Sequence, residues 1–292
     1  MCKSRPKGLQ TIPQLRLLFL FPLLVLFCAG AHAQWFNYPT PGTPRTPDGK
    51  PNLAAPVPLA ANGKPDLSGV WHVHPTSLEE MRRLFGKDVG AVNPPGMEVD
   101  TMSKYARNIF VDILPEDAPM RAEAAGIFRR RAAGHELRGL CVPAGIPLDG
   151  LLTDPNKIIQ SPSLIVIMYE SNGTHRQIYT DGRVLPAEVA QPSWLGYSVG
   201  KWEGDTLVVE SAGFNDRTWL DLIGHPHSEG LHITERYHRR DFGHLDVEMT
   251  FDDPHMYTKP FSIQFTQDLW PESDIFENIC ENEKDRAHLL PK

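Results

Sequence analysis

Leu164-Ile-Val-Ile-Met-Tyr169, the turn Ser171-Asn-Gly173 and His175-Arg-Gln-Ile-Tyr-Thr180 carry the clearest structural pattern in the chain. A continuous apolar run, a turn pair rich in Asn and Gly, and a second β-favouring run spell a hairpin. Two more follow. Tyr197 to Trp202 and Thr206 to Ser211 flank Glu203-Gly-Asp205, and Leu231 to Arg239 and Leu245 to Phe251 flank Arg240-Asp-Phe-Gly243. Phe261 to Thr266 alternates cleanly, Ile275 to Cys280 offers a closing strand, and Leu67-Ser-Gly-Val-Trp71 an opening one. Sequential strands without intervening helices predict a mainly β protein, an antiparallel up-and-down β-barrel, with a β-sandwich as the alternative.

Residues 75–150 change character. Ser77 caps a run with Glu79 and Glu80 early and Arg82 and Arg83 late, which predicts a helix. A second is predicted from Asp117 to about Ala133, with Arg129, Arg130 and Arg131 near its carboxyl end, there to offset the dipole or to bind an anion. This block reads as a helical insertion. Residues 34–66 are Pro- and Gly-rich and contain an echo, Asp48-Gly-Lys-Pro-Asn-Leu53 and Asn62-Gly-Lys-Pro-Asp-Leu67, too short for a solenoid and read as a wrapped arm. The organisation expected is a leader over 1–33, the arm, one barrel domain over 67–285 and a tail over 286–292.

The leader rests on Lys3, Arg5, Lys7 and Arg16 before the apolar run Leu17 to Cys28, then Ala31-His32-Ala33, a cleavage pattern ahead of Gln34. That run is too short for a membrane span, which needs about 20 residues. Phe27 before Cys28 disfavours a lipoprotein site. Localisation is therefore expected to be secreted or periplasmic, with no stable membrane insertion after cleavage. The whole chain of 292 residues carries −7; losing four of its 29 bases leaves 25 against 36 acids, or −11. Such a surface disfavours nucleic acid. Cys141 and Cys280 would be the only thiols left, in an oxidising compartment, and are expected to pair. The bridge would close a loop of about 140 residues and add about 4–5 kcal/mol; two separately buried thiols are the alternative.

The densest polar stretch is Asn215-Asp-Arg-Thr-Trp-Leu-Asp221 followed by His225-Pro-His-Ser-Glu229 and Glu235-Arg236. Three readings fit it. His225 or His227 can move a proton while Asp216 or Asp221 orients it and Arg217 stabilises an anion. Trp219, Asn215, Glu229, Glu235, Arg236 and Tyr237 can contact a ligand. His225 and His227, joined by His72 and His74, can bind a divalent metal with carboxylate help. The bland counterpart is a loop locked by internal bonds, with Pro226 fixing its backbone. Alternation along the strand after His227 places Glu235 with Leu231, Ile233 and Tyr237 on the inward phase, where a carboxylate needs a cation or a ligand. The phosphate-loop, His-Glu-x-x-His and Cys-x-x-Cys signatures are missing.

Gly63-Lys-Pro-Asp-Leu-Ser-Gly-Val-Trp71, Trp202-Glu-Gly-Asp-Thr-Leu-Val-Val-Glu210, Gly213-Phe-Asn-Asp-Arg-Thr-Trp-Leu-Asp221 and Gly224-His-Pro-His-Ser-Glu229 together resemble motifs of a large group of secreted soil-bacterial proteins. The resemblance covers most of 62–285 and implies export but no particular activity. The Asp66-Leu-Ser-Gly-Val-Trp71 opening also resembles lipocalin-type barrels, which implies a small-molecule carrier. The expected function is an exported lipocalin-like protein binding a small organic molecule in its barrel. The alternatives are a secreted hydrolase or lyase using the Asp216 to Glu229 loop, with or without a metal, and an envelope interaction protein acting through its arm.

Overall fold

The computed structural model describes residues 39–89, 102–134, 142–189 and 191–278. The leader, the Cys141–Cys280 bridge and the 286–292 tail lie outside them. Among the described residues no helix is long and apolar enough to cross a membrane.

Nine strands close into a barrel in sequence order: β1 (Gly69–Val73), β2 (Asn156–Gln160), β3 (Leu164–Tyr169), β4 (His175–Tyr179), β5 (Tyr197–Glu203), β6 (Thr206–Ala212), β7 (His232–Arg239), β8 (His244–Asp252) and β9 (Phe261–Leu269). The three hairpins form as read, and β1 pairs with β9 through Trp71↔Leu269, so β9 rather than residues 275–280 closes the ring. One departure from a pure meander is a matter of parity. Around a closed ring each antiparallel neighbour reverses direction, so antiparallel pairs must be even in number, and nine strands require a parallel seam. It falls at β4–β5, where only Ile178↔Ser198 and Tyr179↔Val199 pair. Residues 180–196 make the return crossing that a parallel connection needs.

Among the described residues, the insertion between β1 and β2 carries the α-helices α1 (Leu78–Phe85), α2 (Lys104–Arg107) and α3 (Ala122–Gly134). Ser77 accepts the Glu80 N–H at 3.2 Å, as an N-cap should. Strand directions bring this insertion together with the loops 213–231 and 253–260 at one end of the barrel. The tight turns after β2, β5 and β7 occupy the other.

The arm covers the hairpin end, and its sequence echo is a structural one. Thr46 and Ala60 donate to Lys50 and Lys64 carbonyls at 2.9 and 2.8 Å, and Asn52 and Asp66 reach back to Pro44 and Pro58, both at 2.8 Å. Gly49 and Gly63 turn each copy at φ 84° and 75°, a region open to glycine at no steric cost. The first copy ends on Leu53, whose carbonyl accepts the Gly243 N–H at 2.7 Å, and the second on the buried Leu67. Beneath them the Arg239 guanidinium lies 4.9 Å from the Trp71 ring and donates to the carbonyls of Asp66 and Phe242.

Inward positions alternate as the pleat demands. Trp71, Ile158, Ile167, Ile178, Val209, Ile233, Val247, Met249, Phe251 and Ile263 are buried and fill the lumen. Between them lies a hollow of about 10 Å³, bordered by Asn156, Tyr169, Tyr237 and Gln267. That is room for about one water, so among the described residues the lumen offers no space for the organic ligand expected there.

Candidate functional site

The residues singled out from the sequence divide among a loop knot, the lumen and the outer surface. In the 213–231 loop, Trp219 bridges to Pro226, and the Leu220 N–H donates to the His225 carbonyl at 2.9 Å. Asp221 sits inside this turn. Its Oδ1 accepts the Gly224 and His225 backbone N–H groups at 2.9 and 3.1 Å; its Oδ2 accepts the Ile109 N–H at 2.8 Å and the His225 Nδ1–H. The His225 ring stacks on Phe128 of α3 at 4.3 Å and meets Phe110 edge-on at 4.8 Å. The His225 side chain is 4% exposed.

His227 is locked as firmly. Its Nδ1–H points at the Ser228 carbonyl at 3.2 Å, so Nε2 is the acceptor for the Thr218 hydroxyl at 2.6 Å. Burial pushes the imidazole pKa down against the opposing Ser228 contact, which keeps the ring neutral. Asp253 accepts the Ser228 N–H and hydroxyl at 2.6 and 2.8 Å, and the Tyr257 hydroxyl donates to the Pro226 carbonyl at 2.6 Å. Trp219 is covered by the Arg131 guanidinium, 5.1 Å from its ring. Here the helix-end arginines divide: Arg129 and Arg130 are exposed, while Arg131 caps an indole.

Asn215 accepts the Arg217 N–H at 3.1 Å in a local turn, and Asp216, Arg217 and Glu229 are exposed beside the knot rather than gathered into a catalytic constellation. Arg236 points outward to Glu203. His72 and His74 lie on the outer wall, the first stacked on Trp270 at 4.6 Å and the second 2.7 Å from Asp268. Among the described residues no group of three or more His, Cys, Asp or Glu side chains is arranged to hold a metal, so the four-histidine cluster does not assemble. The loop is a lock that ties β6 and β7 to the insertion.

Glu235 finds the cation its inward phase requires. Arg176 on β4 donates Nη1 to Glu235 Oε1 at 3.0 Å and Nη2 to Oε2, with Nε on Ser198 at 2.9 Å and Nη2 on Ser211 at 2.6 Å. The Tyr237 hydroxyl adds a third donor to Glu235 at 2.6 Å. Burial opposes the charge on Arg176, yet Glu235 holds the guanidinium pKa above its ordinary value; burial and the same carboxylate raise Tyr237. Glu235 and Tyr237 thus stand in the barrel wall, the first tied to Arg176 and the second to Glu235. The signal was in the sequence: Arg176 shares the inward phase of β4 with Ile178.

Sequence reasoning missed a concavity at the β4–β5 seam. Because β4 and β5 separate below Ile178, a groove of about 350 Å³ opens between Thr174–Tyr179 and Ser193–Tyr197, with Pro143 beside it. Tyr179 and Tyr197 stack at 5.4 Å, Trp194 and Leu195 are half-buried, and His175 and Gln177 are exposed. At the rim Arg183 lies 3.8 Å from the Tyr179 ring and donates to the Tyr197 hydroxyl at 3.0 Å and to Asp181. The volume falls within the range of small-molecule sites, and the aromatic and polar mixture is the kind that holds one. No protein-family model, curated protein or solved structure matches the chain.

Proposed function

We propose that the chain is an exported barrel protein that binds a small molecule in the groove at the β4–β5 seam, outside the lumen. The groove itself carries the reading: about 350 Å³ framed by Tyr179, Trp194 and Tyr197, against about 10 Å³ inside the barrel. The sequence leader supports export. A largely neutral ligand with one flat apolar face suits the three rings, while His175, Gln177 and Ser193 supply hydrogen bonds at the edges.

Hydrogen exchange during titration with a library of phenols, cyclic polyols and short amides tests this. Hits should slow exchange in 174–179 and 193–197 and shift the fluorescence of the wild type but not of Trp194→Phe. Protection confined to 218–228, or hits indifferent to Trp194, would overturn it.

A further inference from the structure

The groove wall is a strand edge, and its free groups can be read from the register. Tyr169 N–H bonds the Thr174 carbonyl and Thr180 N–H the Ser163 carbonyl, both at 2.9 Å, which fixes the alternation. Residues 174, 176, 178 and 180 bond to β3; 175, 177 and 179 face the other way. On that side the pairing Ile178↔Ser198 uses the Gln177 carbonyl and the Tyr179 N–H. The ladder then stops. The Gln177 N–H and both backbone groups of His175 point into the groove and have no ladder partner among the described residues.

A closed barrel normally has no such edge. Two donors and an acceptor in a row, over about 7 Å of strand, complement an extended amide backbone. A sugar offers hydroxyls without that repeat. In a chain of 36 acids and 29 bases the groove lining has no carboxylate, and at its rim Asp181 is paired with Arg183. Tyr179, Trp194 and Tyr197 line the groove beside that edge.

We infer that the groove takes a short extended peptide, about three residues long, that adds to β4 as a partial strand; this rests on the groove being the binding site. N-acetyl-Val-Tyr-Val with a free carboxylate is the probe, accompanied by a series N-methylated at each amide in turn and by cellotriose. The purified chain should show saturable fluorescence quenching and slowed exchange at the His175 and Gln177 amides. Methylation of a pairing amide should weaken binding about tenfold, and Trp194→Ala, checked for intact folding by circular dichroism, should weaken it as well. Equal binding by every methylated peptide overturns strand addition. Saturation by cellotriose but not by peptide overturns the peptide class while leaving the groove in place. No response in 174–179 to any probe, the neutral library included, overturns both.

Discussion

Replacing Asp149 by Asn should stabilise the protein at alkaline pH. Asp149, 2% exposed, accepts the Gly145 N–H at 3.2 Å through Oδ2, and its Oδ1 has no hydrogen-bond partner. Burial raises its pKa from 3.8 to about 7 against the Gly145 contact, with Asp154 adding to the rise. The folded state therefore holds this proton more tightly than the unfolded chain. Between pH 4 and 7 stability falls as pH rises, and above 7 the whole penalty applies. At 1.36 kcal/mol per pKa unit the gap corresponds to about 4 kcal/mol, an upper figure because a buried site relaxes. Asn retains an acceptor for Gly145 and has no charge to bury. Urea unfolding of both proteins at pH 5, 6, 7 and 8 gives the difference directly, and contributions from other groups such as His227 cancel in it. The variant's advantage should grow across that range to a few kcal/mol. A pH-independent difference, or a wild type that is the more stable at pH 8, would rule out a raised Asp149 pKa as the cause.

Glu235→Gln should cost about 3–5 kcal/mol in urea unfolding by leaving Arg176 uncompensated, and the double variant Glu235→Leu/Arg176→Met should recover most of that loss. Asp221→Ala removes an acceptor that serves four donors; it should destabilise by about 3 kcal/mol or more and speed exchange of the Ile109, Gly224 and His225 amides together, whereas faster exchange at His225 alone would contradict the lock. Gly196→Ala meets Phe214 and the Ala212 carbonyl at 2.8 and 2.9 Å from a backbone at φ 64°; it should cost about 2 kcal/mol in thermal unfolding and weaken ligand binding in the groove it lines.

What could be read in the chain depended on the distance over which it was encoded. Hairpins, the Ser77 cap and the inward phase of Glu235 are local patterns, and each stands in the fold. The partner of Glu235 lies 59 residues away, and only alternation in β4 hinted at it. The polar loop was visible as a cluster of chemistry-bearing residues, but its role was not: Asp221 takes an N–H from Ile109, 112 residues earlier, and His225 is enclosed by Phe110 and Phe128. Such packing turns candidate catalytic groups into ties. The groove left no local signature because it arises from ring parity and from where β4 and β5 part.

The joining of β1 to β9 also bears on how the molecule is made. Synthesis runs from the amino terminus, so Gly69–Val73 emerges nearly 190 residues before Phe261–Leu269, the strand that completes its neighbourhood. Until then one side of β1 stays unmatched, and contacts so distant along the chain form slowly. During that interval the last strand of another nascent copy offers the same match, which makes exchange between molecules the characteristic misassembly of this ring.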